Sequence, residues 1–108
     1  MPVLRQLVMP HGWVGILSAE LHFPEAHSLK EKRSYLRSAK AQLANRFGAS
    51  VAEVDHHDVW QRSRLTLAVV AREHRDAEQL LADAERYLAS REWELALVER
   101  ELVTLDDA

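Results

Sequence analysis

The chain has 108 residues, 47% of them apolar and 29% charged, with no cysteine and a formal net charge of −3. A length of this order accommodates one hydrophobic core, and the lack of cysteine excludes disulfides, thiol catalysis and thiolate metal ligands. No apolar run approaches the roughly 20 residues of a membrane span and no basic-then-apolar leader opens the chain, so the expected location is the cytoplasm, away from membranes.

The net charge conceals an asymmetry. Residues 1–50 carry seven Lys/Arg against three Asp/Glu, whereas residues 51–108 carry seven against fourteen. A basic face on the first half can attract polyanions, although the acidic remainder weakens long-range attraction and makes such binding sensitive to salt.

Residues 1–12, MPVLRQLVMPHG, contain a short apolar run broken by Pro10 and Gly12 and read as an N-terminal extension. From Trp13 to Phe23 the pattern has period two. Leu17, Ala19, Leu21 and Phe23 share one apolar face, which marks a first strand that Pro24 stops. Ser28 is an N-cap with Glu31 as its capping-box partner. Leu29, Leu36, Ala39, Leu43 and Phe47 then fall on one stripe of a helix that Gly48 ends. Beside that stripe Lys30, Arg33, Arg37 and Lys40 recur at steps of three, four and three, a row of four cations along one flank.

Residues 50–55, SVAEVD, suit a short second strand, and His56, His57 and Asp58 form a polar turn or strand end. Residues 64–71, RLTLAVVA, are apolar on both faces, as expected of a central third strand. Asp76 reads as the N-cap of a second helix, with Gln79 three residues on. Its stripe is Ala77, Leu80, Leu81, Ala84 and Leu88, and it ends near Arg91. Residues 93–103, WELALVERELV, form a fourth strand, and 104–108 an acidic tail.

The order β-α-β-β-α-β predicts an α+β, ferredoxin-like domain over residues 13–103, with a four-stranded antiparallel sheet and two helices on one face. The first and third strands are then central. The other face carries Ile16, Thr66, Ala68, Val70, Ala96 and Val98, too apolar for full solvation, so a homodimer through that face or an edge strand is expected.

Residues 20–33, ELHFPEAHSLKEKR, and 51–62, VAEVDHHDVWQR, resemble the two most recognisable segments of a small bacterial family of unknown function typified by YlxP. The similarity spans about residues 13–103. It implies a ferredoxin-like fold and, in many bacteria, a gene placed among those for a transcription elongation factor, a translation initiation factor and a ribosome-binding factor. No catalytic residue is carried over with it, and His57 stands where the family has Gln.

Two surfaces are candidates for function. Lys30, Arg33, Arg37 and Lys40 are spaced to contact the phosphates of RNA or a ribosomal particle, against the alternative of a solvated flank whose aliphatic stems cover the core edge. The turn residues His56, His57 and Asp58, with Trp60 and Arg62, suit an interface or ligand contact. There Trp60 either stacks on a base or anchors a core or interface, Arg62 offers a phosphate partner, and Asp55 and Asp58 bond turn amides. Alternation along an extended segment lets at most Asp55 with His57, or His56 with Asp58, converge, which argues against a metal site. No Gly-rich phosphate loop, Ser/His/Asp motif or dinucleotide fingerprint is present, and the third strand lacks the aromatics of an RNA-recognition motif. The expected function is non-enzymatic RNA or ribosome association without a cofactor; the alternative is a dimeric interaction or regulatory module.

Overall fold

The computed structural model describes residues 10–105. Residues 1–9 of the expected extension and 106–108 of the expected acidic tail lie outside them. Six elements follow in the order β1 (Trp13–His22), α1 (Leu29–Phe47), β2 (Ser50–Asp55), β3 (Arg62–Ala71), α2 (His74–Ala89) and β4 (Glu94–Val103). The strands form one antiparallel sheet in the order β2-β3-β1-β4. Both helices pack on one side, giving the expected ferredoxin-like α+β arrangement with β1 and β3 central. No helix among the described residues is long and apolar enough to cross a membrane.

Period two on β1 has the predicted consequence, since Leu17, Ala19, Leu21 and Phe23 are all buried beneath the helices. Leu65, Leu67 and Val69 of β3 lie beside them, and Leu36, Ala39 and Leu43 of α1 with Leu81, Ala84 and Leu88 of α2 close the core from above. Each fully buried leucine contributes about 1.5–3 kcal/mol. An aromatic cluster seals one end: Phe23 stacks on Tyr35 at 5.7 Å, and Trp93 meets Phe23, Tyr35 and Tyr87 edge-on.

The caps of α1 form as expected, with one variation. Ser28 Oγ accepts from Glu31 N at 3.1 Å, and Glu31 accepts in return from the amide of His27, one residue before the cap. Gly48 takes the left-handed conformation at φ 65°, where its amide closes onto Ala44 and Leu43 carbonyls. The second helix departs from expectation. It begins at His74 with Glu73 as N-cap and no side-chain capping bond, so Asp76 lies inside the first turn, where its charge still favours the helix N-terminus. Gln79 bonds forward to Asp83 at 2.9 Å instead of back to a cap.

Both edge strands carry a bulge at the same rung. Val54 is the extra residue between the Glu53–Leu65 and Asp55–Arg64 pairs, and Leu97 the extra residue between Val98–Ala19 and Ala96–Glu20. Leu97 adopts φ 46°, a left-handed backbone at a β-bulge. This insertion reverses the parity of β4. Val98, expected on the open face, packs against the core, whereas Ala96 stays opposite Glu20 on the open side. Bulges on both edges also disfavour continuation of the ladder by another chain.

Candidate functional site

The basic row of α1 emerges at the surface. Lys30, Arg33 and Arg37 are exposed and Lys40 is half-buried. None of the four has an ion pair among the described residues. Several carboxylates of the second half engage arginines of that same half instead. Glu99 holds Arg64 at 2.6 Å, Glu85 holds Arg100 at 2.6 Å and Asp83 holds Arg86 at 2.8 Å. Arg33, Arg37 and Lys40 line a shallow groove of about 300 Å³, which Leu36, Glu53 and His57 complete.

Glu53 does not cancel that row, because its carboxylate is already committed. Lys32 Nζ lies 3.0 Å from it, Ser63 Oγ donates to it at 2.6 Å and His57 Nδ1 lies 3.1 Å away. Lys32 is the least expected residue of the structure, being only 1% exposed. It belongs to the core stripe of α1, which runs 29, 32, 36, 39, 43 at alternating steps of three and four. The sequence signal was the gap of seven between Leu29 and Leu36, with a lysine in the position that an apolar residue would fill.

What the ammonium does there is clear from its neighbours. The loop joining β2 to β3 makes no ladder bonds, so its inward carbonyls need other donors. Lys32 Nζ donates to the carbonyls of His56 at 2.7 Å, Val59 at 2.6 Å and Arg62 at 3.1 Å, with His57 at 3.3 Å. One cation on α1 therefore shapes the whole 56–62 loop. A further bond from Phe23 N to Gln61 O at 2.8 Å ties it to the end of β1.

The turn histidines separate to opposite sides of the sheet. His57 points to Glu53 at the α1 groove, whereas His56, at φ 63°, lies 3.0 Å from Glu20 on the open face. Glu20 is a buried carboxylate with Arg62 at 2.8 Å, Arg64 at 4.0 Å and the His22 ring at 3.4 Å around it. The hydrogen bond from Arg62, helped by His22 and His56, lowers its pKa from 4.5 to about 2. Arg62 is thus held by Glu20. Asp55 accepts from the His56 amide at 2.7 Å, as expected of a turn carboxylate. Asp58 is exposed and makes no such bond among the described residues. Trp60 is no core anchor: it stands 47% exposed on the loop, beside Val59 at 42%. A groove of about 320 Å³ lies against it, lined by His22, Pro24, Val59, Gln61, Arg62 and Glu94. Among the described residues no group of three or more His, Asp or Glu stands ready to hold a metal ion.

Comparison with known proteins agrees with this architecture. Residues 14–102 match the family model described as "Protein of unknown function (DUF503)". The chain is 32% identical over 68 residues to the "Uncharacterized protein YlxP" of Bacillus subtilis (strain 168), an overlap of 63% of this chain and 74% of the relative. Among solved structures it is similar to a VAO-type flavoprotein from Myceliophthora thermophila C1, with a TM-score of 0.53 at 14% identity. That overlap covers 86% of this chain but 16% of the flavoprotein. The de novo designed protein Foldit4 is similar at a TM-score of 0.50 and 12% identity, over 85% of this chain and 97% of the design. At these identities the structural likenesses show the fold alone. The sequence matches show more, and the chain belongs to the DUF503 family of proteins of unknown function.

Proposed function

We propose that this protein is a non-enzymatic, RNA- or ribosome-associated protein that contacts phosphates through Lys30, Arg33, Arg37 and Lys40. The observation that carries the reading is that these four cations make no ion pair among the described residues of an acidic protein, Glu53 in their groove being paired to Lys32. Arg62, Arg64, Arg86 and Arg100, by contrast, each engage a carboxylate. Helical rise spreads the row over about 15 Å, enough to meet several successive phosphates. The gene neighbourhood that the family resemblance implies supports a place in ribosome maturation or translation. The test is binding of RNA across a salt series, with wild type and the variant carrying all four residues as alanine. Each lost phosphate contact removes about 0.7–0.9 of log-log slope, so the variant binds weakly and its salt dependence is flatter by about 3. Equal slopes in the two proteins would overturn the reading.

A second reading, a homodimer through the open sheet face, is favoured by Val70, which is 73% exposed on the same side of β3 as the half-buried Ala68. Ile16 and Ala68 pair across β1 and β3 on the same side. The reading expects a concentration-dependent dimer that Val70→Lys dissociates without unfolding the chain. A wild type that sediments as a monomer at all concentrations removes it.

A further inference from the structure

We infer that the loop bearing Trp60 is a stacking site for an unpaired nucleobase, so that the polyanion served by α1 is single-stranded RNA or a strand with flipped-out bases. This rests on the phosphate-binding reading above and adds a site that the basic row does not explain. A row of cations attracts paired and unpaired strands alike. An indole face is useful only where a base is free to leave the stack.

The loop is built in a way that a merely solvated turn does not require. The carbonyls of Val59 and Arg62, on either side of Trp60, are held by the buried Lys32 at 2.6 and 3.1 Å, and Gln61 O is held by Phe23 N at 2.8 Å. The backbone is fixed from inside while the indole stays 47% exposed. A rigid aromatic in open position loses little freedom when a flat partner settles on it.

The adjoining groove suits a base better than a phosphate. Its walls include Pro24, Val59 and Trp60, its arginine and His22 both face the Glu20 carboxylate, and Glu94 adds a second carboxylate. A carboxylate repels phosphate and accepts from a base's exocyclic amino group. The groove shares no lining residue with the α1 groove, but the two lie close along the chain. His57 lines the basic groove, and Trp60 follows three residues later, a span of at most about 11 Å.

The experiment measures binding of wild type, Trp60→Ala and Trp60→Tyr to a short single-stranded RNA and to a blunt RNA duplex of matched phosphate count. Trp60→Ala is expected to weaken single-strand binding by about 5- to 150-fold while leaving duplex affinity and the salt slope unchanged. Trp60→Tyr, which keeps an aromatic face, recovers most of the loss. Equal single-strand affinity of Trp60→Ala and wild type overturns the inference. If the four-alanine variant of α1 still loses RNA in that case, the phosphate reading survives alone. If wild type binds neither RNA, both readings fall. Loss of self-association in Trp60→Ala with RNA affinity intact would make the loop a protein contact, and the inference is then wrong.

Discussion

Replacing Lys32 with methionine keeps the length and apolar stem of the side chain while deleting one buried charge. Its ammonium meets four carbonyl oxygens between 2.6 and 3.3 Å and the Glu53 carboxylate at 3.0 Å. In the variant the Glu53 side chain, 7% exposed, keeps Ser63 and His57 but loses its buried cation. Removing one partner of a buried, hydrogen-bonded pair costs about 3–5 kcal/mol. For a domain near 100 residues each kcal/mol shifts Tm by about 4 °C or more, so Lys32→Met should melt about 12–20 °C below wild type. Urea denaturation of wild type, Lys32→Met, Glu53→Gln and the double variant separates the pair from the loop. Glu53→Gln in the Lys32→Met background should recover part of the loss. The part left unrecovered measures the carbonyls of residues 56–62. A Lys32→Met variant within about 1 kcal/mol of wild type would refute the claim that this ammonium organises the loop.

Three further outcomes follow from other parts of the fold. The pKa of Glu20, lowered to about 2, means that its network adds stability above the ordinary value of 4.5 and surrenders it as pH falls through about 2. The stability gap between wild type and Glu20→Gln should therefore be constant above pH 5 and shrink on acidification; a gap independent of pH down to 2 contradicts the geometry. Tyr87 Oη is buried without a hydrogen-bond partner among the described residues, so Tyr87→Phe should be neutral or stabilising by about 1 kcal/mol in chemical denaturation. A Cβ on Gly15 would stand 2.9 Å from Leu81 Cγ and 3.1 Å from Val69 Cγ2, so Gly15→Ala should lower stability by about 1–3 kcal/mol as α2 is pushed from the sheet. An unchanged Tm would contradict this close packing of α2 on β1.

The architecture was legible because hydrophobic period changes along the chain from two to 3.6 and back, and because Ser28 and Gly48 punctuate the first helix. Lys32 escaped because burial of a lysine depends on partners 24 to 30 residues away, which a helical stripe cannot reveal. Val98 lies on the core side and not the open face because of a bulge at a left-handed leucine, which has no local signature in the sequence and shows only in the pairing with β1. The start of α2 was placed at Asp76 on side-chain type, whereas the backbone enters the helix at His74 without a side-chain cap. The four cations of α1 were correctly placed on one flank by spacing alone. That none of them is ion-paired among the described residues was not readable, since it depends on which cations the acidic half reaches. His56 and His57 diverged as alternation requires, but only the sheet shows that one meets Glu20 and the other Glu53.

Crosslinking of RNA to the protein in cells, followed by identification of the modified peptides, addresses the central claim most directly. Nucleotide adducts are predicted on the α1 segment containing Lys30, Arg33, Arg37 and Lys40, and on the loop containing Trp60. Recovery of the protein without attached RNA, or with adducts confined to α2 and β4, would contradict it.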